Sequence, residues 1–238
     1  FPSVSVCIPA YNEEATIEEV LQETHLLLSH SGLDYEILVC NDGSTDRTKR
    51  IIEDLAQNYA NLRIFHNPIN LGIHATLQRL YSEATKDFVF INAADRQWKM
   101  SILLEMLPLA REYDIIIAKR KKKPYGLFRM FISWVFNIVP YILFGVRTFD
   151  AGASKLIRRE IIGRFTLVAR SPFSEAERLI RADRAGYRIT EYPVDVFPRR
   201  ASRSHGINLT TLLEAGVDVF RVWSSLKKEK VKGKFKKI

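Results

Sequence analysis

Two apolar runs in this chain stop abruptly at polar and acidic residues. Residues 4–8 give way to Pro9, Ala10, Tyr11, Asn12 and Glu13, and residues 36–40 give way to Asn41, Asp42, Gly43, Ser44 and Asp46. Short, β-branched apolar runs of this kind suit strands buried on both faces of a parallel sheet, with Pro9 expected to end the first. In open α/β sheets, ligands bind beyond the carboxyl ends of the strands, so these two polar stretches are expected to converge on one crevice. An ionised carboxylate only accepts hydrogen bonds, which suits it to the N–H groups of a base and the hydroxyls of a ribose. The alternative is a plain turn and helix cap at Asp42-Gly43-Ser44.

The elements that must position these residues alternate along the chain. Asn12 is a fitting N-cap for a helix carrying Ile17, Val20, Leu21, Leu27 and Leu28 at helical spacing up to Gly32. A second helix, capped by Ser44 or Thr45, carries Ile51, Ile52, Leu55 and Tyr59. A strand over 62–66, a helix over 75–84, a strand over 87–93, a helix over 102–111 and a strand over 114–118 follow. Strands alternating with helices predict an α/β fold with a doubly wound, mostly parallel sheet.

The 238 residues are 47% hydrophobic and 26% charged, which supports a well-filled core and excludes a disordered chain. The formal charge of +9 is local, because residues 227–238 hold seven Lys and one Glu and contribute +6. Cys7 and Cys40 fall within buried strands and read as a reduced, cytosolic pair of small core residues. No signal peptide is visible before the first strand.

The alternation breaks at Lys119. KRKKK (119–123) leads into an uncharged stretch of 17 residues, 130–146, short of the ~20 that a spanning helix needs and interrupted by Ser133, Asn137 and Pro140. Helices lying in a membrane interface, about 124–146, are expected; a buried helix pair is the alternative. Residues 207–238 read as an amphipathic helix, with Leu209, Leu212, Leu213, Phe220 and Trp223 on one side, running into the basic tail. Cations beside apolar faces favour an anionic membrane surface, at ~1 kcal/mol per Lys or Arg. No nucleic-acid partner is expected: it would account for the basic tail but not for the acidic loops, which would repel phosphate unless a metal intervened.

CIPAYNEE, VCNDGSTD and AADRQW, in that order at the ends of successive strands, resemble the inverting family-2 glycosyltransferases of GT-A, Rossmann-like fold, especially the polyprenyl- and dolichyl-phosphate sugar synthases. The likeness extends over roughly residues 4–204 and implies one GT-A domain over 1–206. By resemblance, Pro9, Ala10, Tyr11, Glu13, Asp42 and Gly43 hold the nucleoside of a UDP- or GDP-linked sugar, joined by Ala94 and Asp95. The family's metal motif, Asp-X-Asp, reads Ala93-Ala94-Asp95 here, so one carboxylate is missing. Asp95 and Gln97 are left as ligands for Mg²⁺ or Mn²⁺, completed by diphosphate oxygens and bound more weakly.

Arg120, after the fifth strand, and Arg199, Arg200 and Ser204 in FPRRASRSHG match basic and hydroxyl positions that bind phosphate and acceptor. Ser202 stands where the family has glycine. Asp150 corresponds to an acceptor-loop aspartate, and Glu177, with Glu175 as competitor, to a glutamate on the helix before the last strand. Asp95, Asp150 and Glu177 are thus the catalytic candidates; as an alternative, either glutamate only pairs with Arg178 or Arg181. The implied activity is transfer of a sugar from a nucleoside diphosphate to a polyprenyl-type phosphate, with inversion, at the cytoplasmic face of a membrane by a peripheral or monotopic enzyme. Transfer to a saccharide or protein hydroxyl, and a degenerate nucleotide-sugar binding protein, are the alternatives.

Overall fold

The computed structural model describes residues 2–121, 138–146, 151–197 and 209–231. Asp150, Arg199, Arg200, Ser202, Ser204, and residues 124–137 of the expected interfacial segment lie outside the described residues.

The described strands are β1 (Val4–Ala10), β2 (Tyr35–Asp42), β3 (Leu62–Asn67), β4 (Phe88–Ile91), β5 (Ile115–Arg120), β6 (Lys155–Arg158) and β7 (Ile189–Val194). They form one sheet in the order β3-β2-β1-β4-β6-β5-β7. All neighbours run parallel except β6, which is antiparallel to both β4 and β5. Val4, Val6 and Ile8 of β1 and Leu38 and Val39 of β2 are fully buried, as strands covered on both faces require. The chain steps outward from β1 through β2 to β3, then returns to place β4 on the other side of β1. That reversal is a topological switch point, where open α/β sheets form their ligand crevice.

Helices α1 (Ile17–Ser29), α2 (Thr48–Ala56), α3 (Gly72–Glu83) and α4 (Ile102–Met106) follow strands β1 to β4. The helix expected over 102–111 splits, because Pro108 cannot supply the amide that an α-helix needs, and residues 107–111 tighten into a 3₁₀ turn. Three local expectations are corrected. Helix α2 starts at Thr48 with Arg47 at its cap position, so neither Ser44 nor Thr45 caps it. β1 runs through Pro9 to Ala10, pairing them with Cys40 and Asn41, so Pro9 sits inside the strand near its end. Asn12 is not the cap of α1, which starts at Ile17; it sits at φ 52°, a left-handed conformation that asparagine tolerates better than most residues.

Beyond β5, a helix over 138–144 (α5), α6 (Arg159–Arg164), α7 (Phe173–Arg184) and α8 (Leu209–Val231) complete the described structure. Phe144 and Val146, Phe173 and Ile180 of α7, and Val222 and Leu226 of α8 form a second apolar cluster. Buried ions tie it together. Asp218 of α8 accepts the amides of Arg170 and Ser171 at 2.8 and 2.7 Å, and Arg181 of α7 reaches Glu229 at 2.9 Å. No helix among the described residues is long and apolar enough to cross a membrane. Cys7 and Cys40 are buried and free, and burial pushes the Cys40 thiol up to about 11 and the Cys7 thiol further.

Candidate nucleotide-sugar site

The loops after β1 and β2 are stitched to one another. The Asn12 amide donates to Ser44 Oγ at 3.0 Å, and Asn12 Oδ1 accepts from the Thr45 amide at 2.8 Å. The Glu13 amide donates to Thr48 Oγ1 at 2.8 Å, and the Arg47 amide to Glu14 Oε2 at 3.1 Å. The left-handed turn at Asn12 is what lets its side chain reach across. Glu13 itself is buried, its Oε2 accepting from Thr16 Oγ1 at 3.0 Å. Two polar loops that would otherwise be mobile thus become one rigid rim.

Asp42 extends that rim to a third loop. Its Oδ1 accepts from Asn67 Nδ2 at 2.7 Å and from the Leu71 amide at 2.9 Å, and its Oδ2 accepts from the Gly72 amide at 2.9 Å. The carboxylate assigned to the nucleoside by resemblance therefore faces the β3–α3 loop and fixes its path. Gly43 explains why the loop can pass so close. At φ +65°, a Cβ on it would lie 2.3 Å from the Ile69 carbonyl carbon and 2.5 Å from the Asn70 nitrogen, distances that no side chain survives.

Between these loops lies an open cleft of about 720 Å³, lined by Tyr11, Asn41, Gly43, Ser44, Lys49 and His66 among others. That volume suits a nucleotide-sized ligand, which typically occupies ~300–1,000 Å³. Of the residues singled out in sequence, Tyr11, Asn41, Gly43 and Ser44 line it; Pro9, Ala10, Glu13, Asp42 and Asp95 do not. Asn41 is 2% exposed and accepts from the Ser44 amide through Oδ1 at 3.2 Å. His66 and Lys49 escaped the sequence reading, yet the strand order 3-2-1 puts the end of β3 beside the cleft and contained that signal. Burial lowers the His66 pKa, opposed by Glu53 3.5 Å away, so the imidazole is neutral at neutral pH.

Across β1, the loop after β4 carries Ala93, Ala94, Asp95 and Gln97. Asp95 is 9% exposed, and its Oδ1 accepts the Gln97 amide at 3.1 Å. Arg96, at φ 58°, turns away to pair with Glu19 and Glu23 of α1. Asn92 points elsewhere, its amide at Met100 Sδ and its Oδ1 accepting from Ser154. Arg120, at the end of β5, lies with its guanidinium 5.1 Å from the centre of the Trp98 ring, bringing a cation to the same loop. The Phe197 amide donates to the Gln97 carbonyl at 3.0 Å, which ties the segment after β7 to this loop.

Glu177 is elsewhere. It is fully buried, accepting the Val168 and Ala169 amides at 2.9 and 2.8 Å and paired with Arg181 at 2.7 Å. Glu175 is held by Lys155 at 2.9 Å and the Tyr81 hydroxyl at 2.8 Å, with Arg178 at 3.6 Å. Both glutamates bind helix α7 to its neighbours rather than to the cleft.

Asp42→Asn separates a loop anchor from a direct ligand. The new amide opposes the Gly72 amide or the Asn67 amide, at a cost of ~2 kcal/mol or a fall of about 5 °C in melting temperature. UDP or GDP binding is expected to weaken together with stability. Lost nucleotide binding at an unchanged melting temperature would mean that the carboxylate touches the nucleotide itself.

The sheet order, the parallel β1–β4 block and the loops at its carboxyl end define a GT-A, Rossmann-like fold. The model of glycosyl transferase family 2 matches residues 5–175, and the chain belongs to that family. Glycosyltransferase AglD from Haloferax volcanii is 29% identical over 94% of this chain and 37% of its own length. Dolichyl-phosphate beta-glucosyltransferase ALG5A from Trichomonas vaginalis is 29% identical over 81% of this chain and 65% of its own length. Undecaprenyl-phosphate 4-deoxy-4-formamido-L-arabinose transferase from Pseudomonas fluorescens is 29% identical over 67% and 48%. The chain thus spans between about a third and two thirds of the length of these curated relatives. Among solved structures, glucosyl-3-phosphoglycerate synthase from Mycobacterium tuberculosis, with Mn²⁺, UDP-glucose and phosphoglyceric acid, superposes with a TM-score of 0.72 at 19% identity. That match covers 94% of this chain and 80% of the synthase. S. aureus TarS superposes at 0.58 and 20% identity, over 82% and 59%.

Proposed function

We propose that the chain transfers a sugar from a UDP- or GDP-linked donor to a polyprenyl-type phosphate, inverting the anomeric carbon in one in-line displacement. The observation that carries this reading is the cleft at the ends of β1, β2 and β3 standing beside the Asp95 loop and Arg120, on either side of the switch point. An oxygen of the lipid phosphate forms the new bond to C1 as the bond from C1 to the nucleoside diphosphate breaks, and the pair of electrons leaves with the diphosphate. The barrier lies chiefly in the charge gathering on that leaving group, so cations such as Arg120 lower it. A phosphate monoester, with a second pKa near ~6, is already an anion at neutral pH and needs no general base. Glu177 and Glu175, held within the fold, are consistent with a reaction that asks for none.

A divalent cation fits only in part. Among the described residues there is no group of three His, Cys, Asp or Glu side chains able to hold one. Asp95 and Gln97 offer a carboxylate and a carboxamide oxygen, a donor set that suits Mg²⁺ or Mn²⁺ once diphosphate oxygens add to it. Bound there, the ion would neutralise charge on the diphosphate. The relatives are named for dolichyl and undecaprenyl phosphate, and the synthase complex contains Mn²⁺ and UDP-glucose; both support the acceptor and the cation in this proposal. The enzyme would work at the inner, cytoplasmic face of a membrane as a peripheral or monotopic protein. Ala93, in place of a metal carboxylate, favours a second reading, a nucleotide-sugar binding protein without turnover.

The test has two arms. Melting curves with UDP, GDP and their sugars, with and without Mn²⁺, are expected to show one diphosphate raising the midpoint by mass action, about 2.7 kcal/mol of added stability at 100 times its dissociation constant. Extracted lipid phosphate is then expected to accept label from the matching donor. Binding without label transfer supports the second reading; no shift with any nucleotide overturns both.

A further inference from the structure

Helix α8 has two unlike faces. Ala215, Asp218, Val222 and Leu226 are buried in the cluster it shares with α7. On the outward side Leu213, Val217, Phe220 and Trp223 are 65%, 51%, 67% and 38% exposed. At ~100° per residue the first three fall on one line opposite the buried set, and Trp223 flanks them. The Phe220 and Trp223 rings stack with centroids 6.0 Å apart. Single exposed apolar residues are ordinary, but a continuous helical row of this size marks an interaction surface.

The charge beside the row selects its occupant. Lys227 and Lys228 are exposed at the end of the row, with Lys227 Nζ 5.1 Å from the Trp223 ring centre. Five more lysines follow in the sequence by residue 237. The one acid in that stretch, Glu229, is turned inward onto Arg181 at 2.9 Å and does not offset them. Apolar and aromatic side chains with cations alongside match the acyl boundary and phosphates of a bilayer. A second copy of the chain would carry the same excess of positive charge, and like charges repel. Tyr141, Ile142 and Leu143 on α5 are also exposed, at 50%, 72% and 43%, while neighbouring Phe144 is buried in the cluster that anchors α8.

We propose that the Leu213–Val217–Phe220–Trp223 face of α8, with Lys227 and Lys228, is a docking surface for an anionic phospholipid bilayer. This deepens the membrane-surface reading given above by naming the residues and the lipid charge. Docking is independent of the sugar site, so it is measured without donor or acceptor.

The protein is sedimented with vesicles of phosphatidylcholine alone or with about a third phosphatidylglycerol. Partitioning onto the anionic vesicles is expected to exceed that onto neutral ones by about tenfold and to fall at high salt. Phe220→Glu, at an exposed position, is expected to cut binding to both vesicle types by about tenfold with unchanged circular dichroism. Lys227→Glu with Lys228→Glu is expected to weaken the preference for anionic lipid several-fold, the lysines after residue 228 keeping the remainder. Equal partitioning of the parent protein onto the two vesicles overturns the proposal, as does Phe220→Glu binding like the parent. So does a Phe220→Glu protein whose lipid-free sedimentation shows a lost dimer, which would assign the face to a second copy. If label transfer fails while vesicle binding follows this pattern, the transferase reading fails and the docking surface stands.

Discussion

Asp95→Asn should lower sugar transfer by about a thousandfold, ~4 kcal/mol in the activation barrier, while leaving the fold intact. The substitution is informative because of how the loop is built. Asp95 Oδ1 accepts the Gln97 amide, and an asparagine Oδ1 makes the same bond, so the turn is preserved and only the charge is removed. Asp95 is the one carboxylate in AADRQW, because Ala93 stands where the resembling enzymes carry their first aspartate. The expected pattern is a kcat that falls steeply, a melting temperature that stays, and Mn²⁺ that no longer matters. Nucleotide binding in the cleft, lined by Tyr11, Asn41 and Gly43, should weaken far less. Transfer at the parental rate would place the chemistry somewhere other than this loop.

Glu175→Gln should cost ~3–5 kcal/mol of stability, a fall of about 10 °C in the unfolding midpoint, because it leaves Lys155 and Arg178 buried without their counter-charge. Lys155 and Arg178 are 2% and 1% exposed, so water cannot take over the role. Burial alone pushes the Glu175 carboxyl upward, but the charges of Lys155 and Arg178 and the bonds from Lys155 and Tyr81 prevail and hold it down to about 2. A carboxyl depressed in the folded state stabilises the protein fully above its ordinary unfolded value, near 4.5, and that contribution is lost as the pH falls from there towards 2. Unfolding midpoints measured between pH 6 and about pH 3 should therefore drop in the parent protein and drop less in Glu175→Gln. Parallel curves would show that the acid sensitivity arises elsewhere.

Much of the architecture was legible because it depends on local pattern. The apolar runs behind CIPAYNEE and VCNDGSTD form the buried central strands, and helical spacing found α1 to α3 within a few residues at most ends. What escaped depends on contacts far apart in sequence. β6 is four residues long and carries a lysine, so KLIR gives no strand signal; it is a strand because β4 and β5 lie on either side and Glu175 neutralises Lys155. Asn12 looks like a helix cap until Thr45 and Ser44 are seen to occupy its side chain and amide.

The site was legible as a neighbourhood more than as a set of roles. Sequence brought Tyr11, Asn41, Gly43 and Asp95 to the right end of the sheet, since strand ends are predictable from strands. It could not tell which way Asp42 turns, because that depends on amides thirty residues away at Leu71 and Gly72. Nor could it distinguish Glu177 as a catalyst from Glu177 as the acceptor for the Val168 and Ala169 amides.

The reversed strand β6 divides the sheet into two blocks that differ in how tightly their loops are bound to one another. On one side, the loops after β1, β2 and β3 are laced together by hydrogen bonds, so a substitution in any rim residue disturbs several others. On the other side, β6 is held by its ladders to β4 and β5 and by Lys155, which pairs with Glu175 and also donates to the Ala151 carbonyl. A change in any one rim residue is therefore expected to reach its neighbours, so the cleft should respond to substitution as a unit.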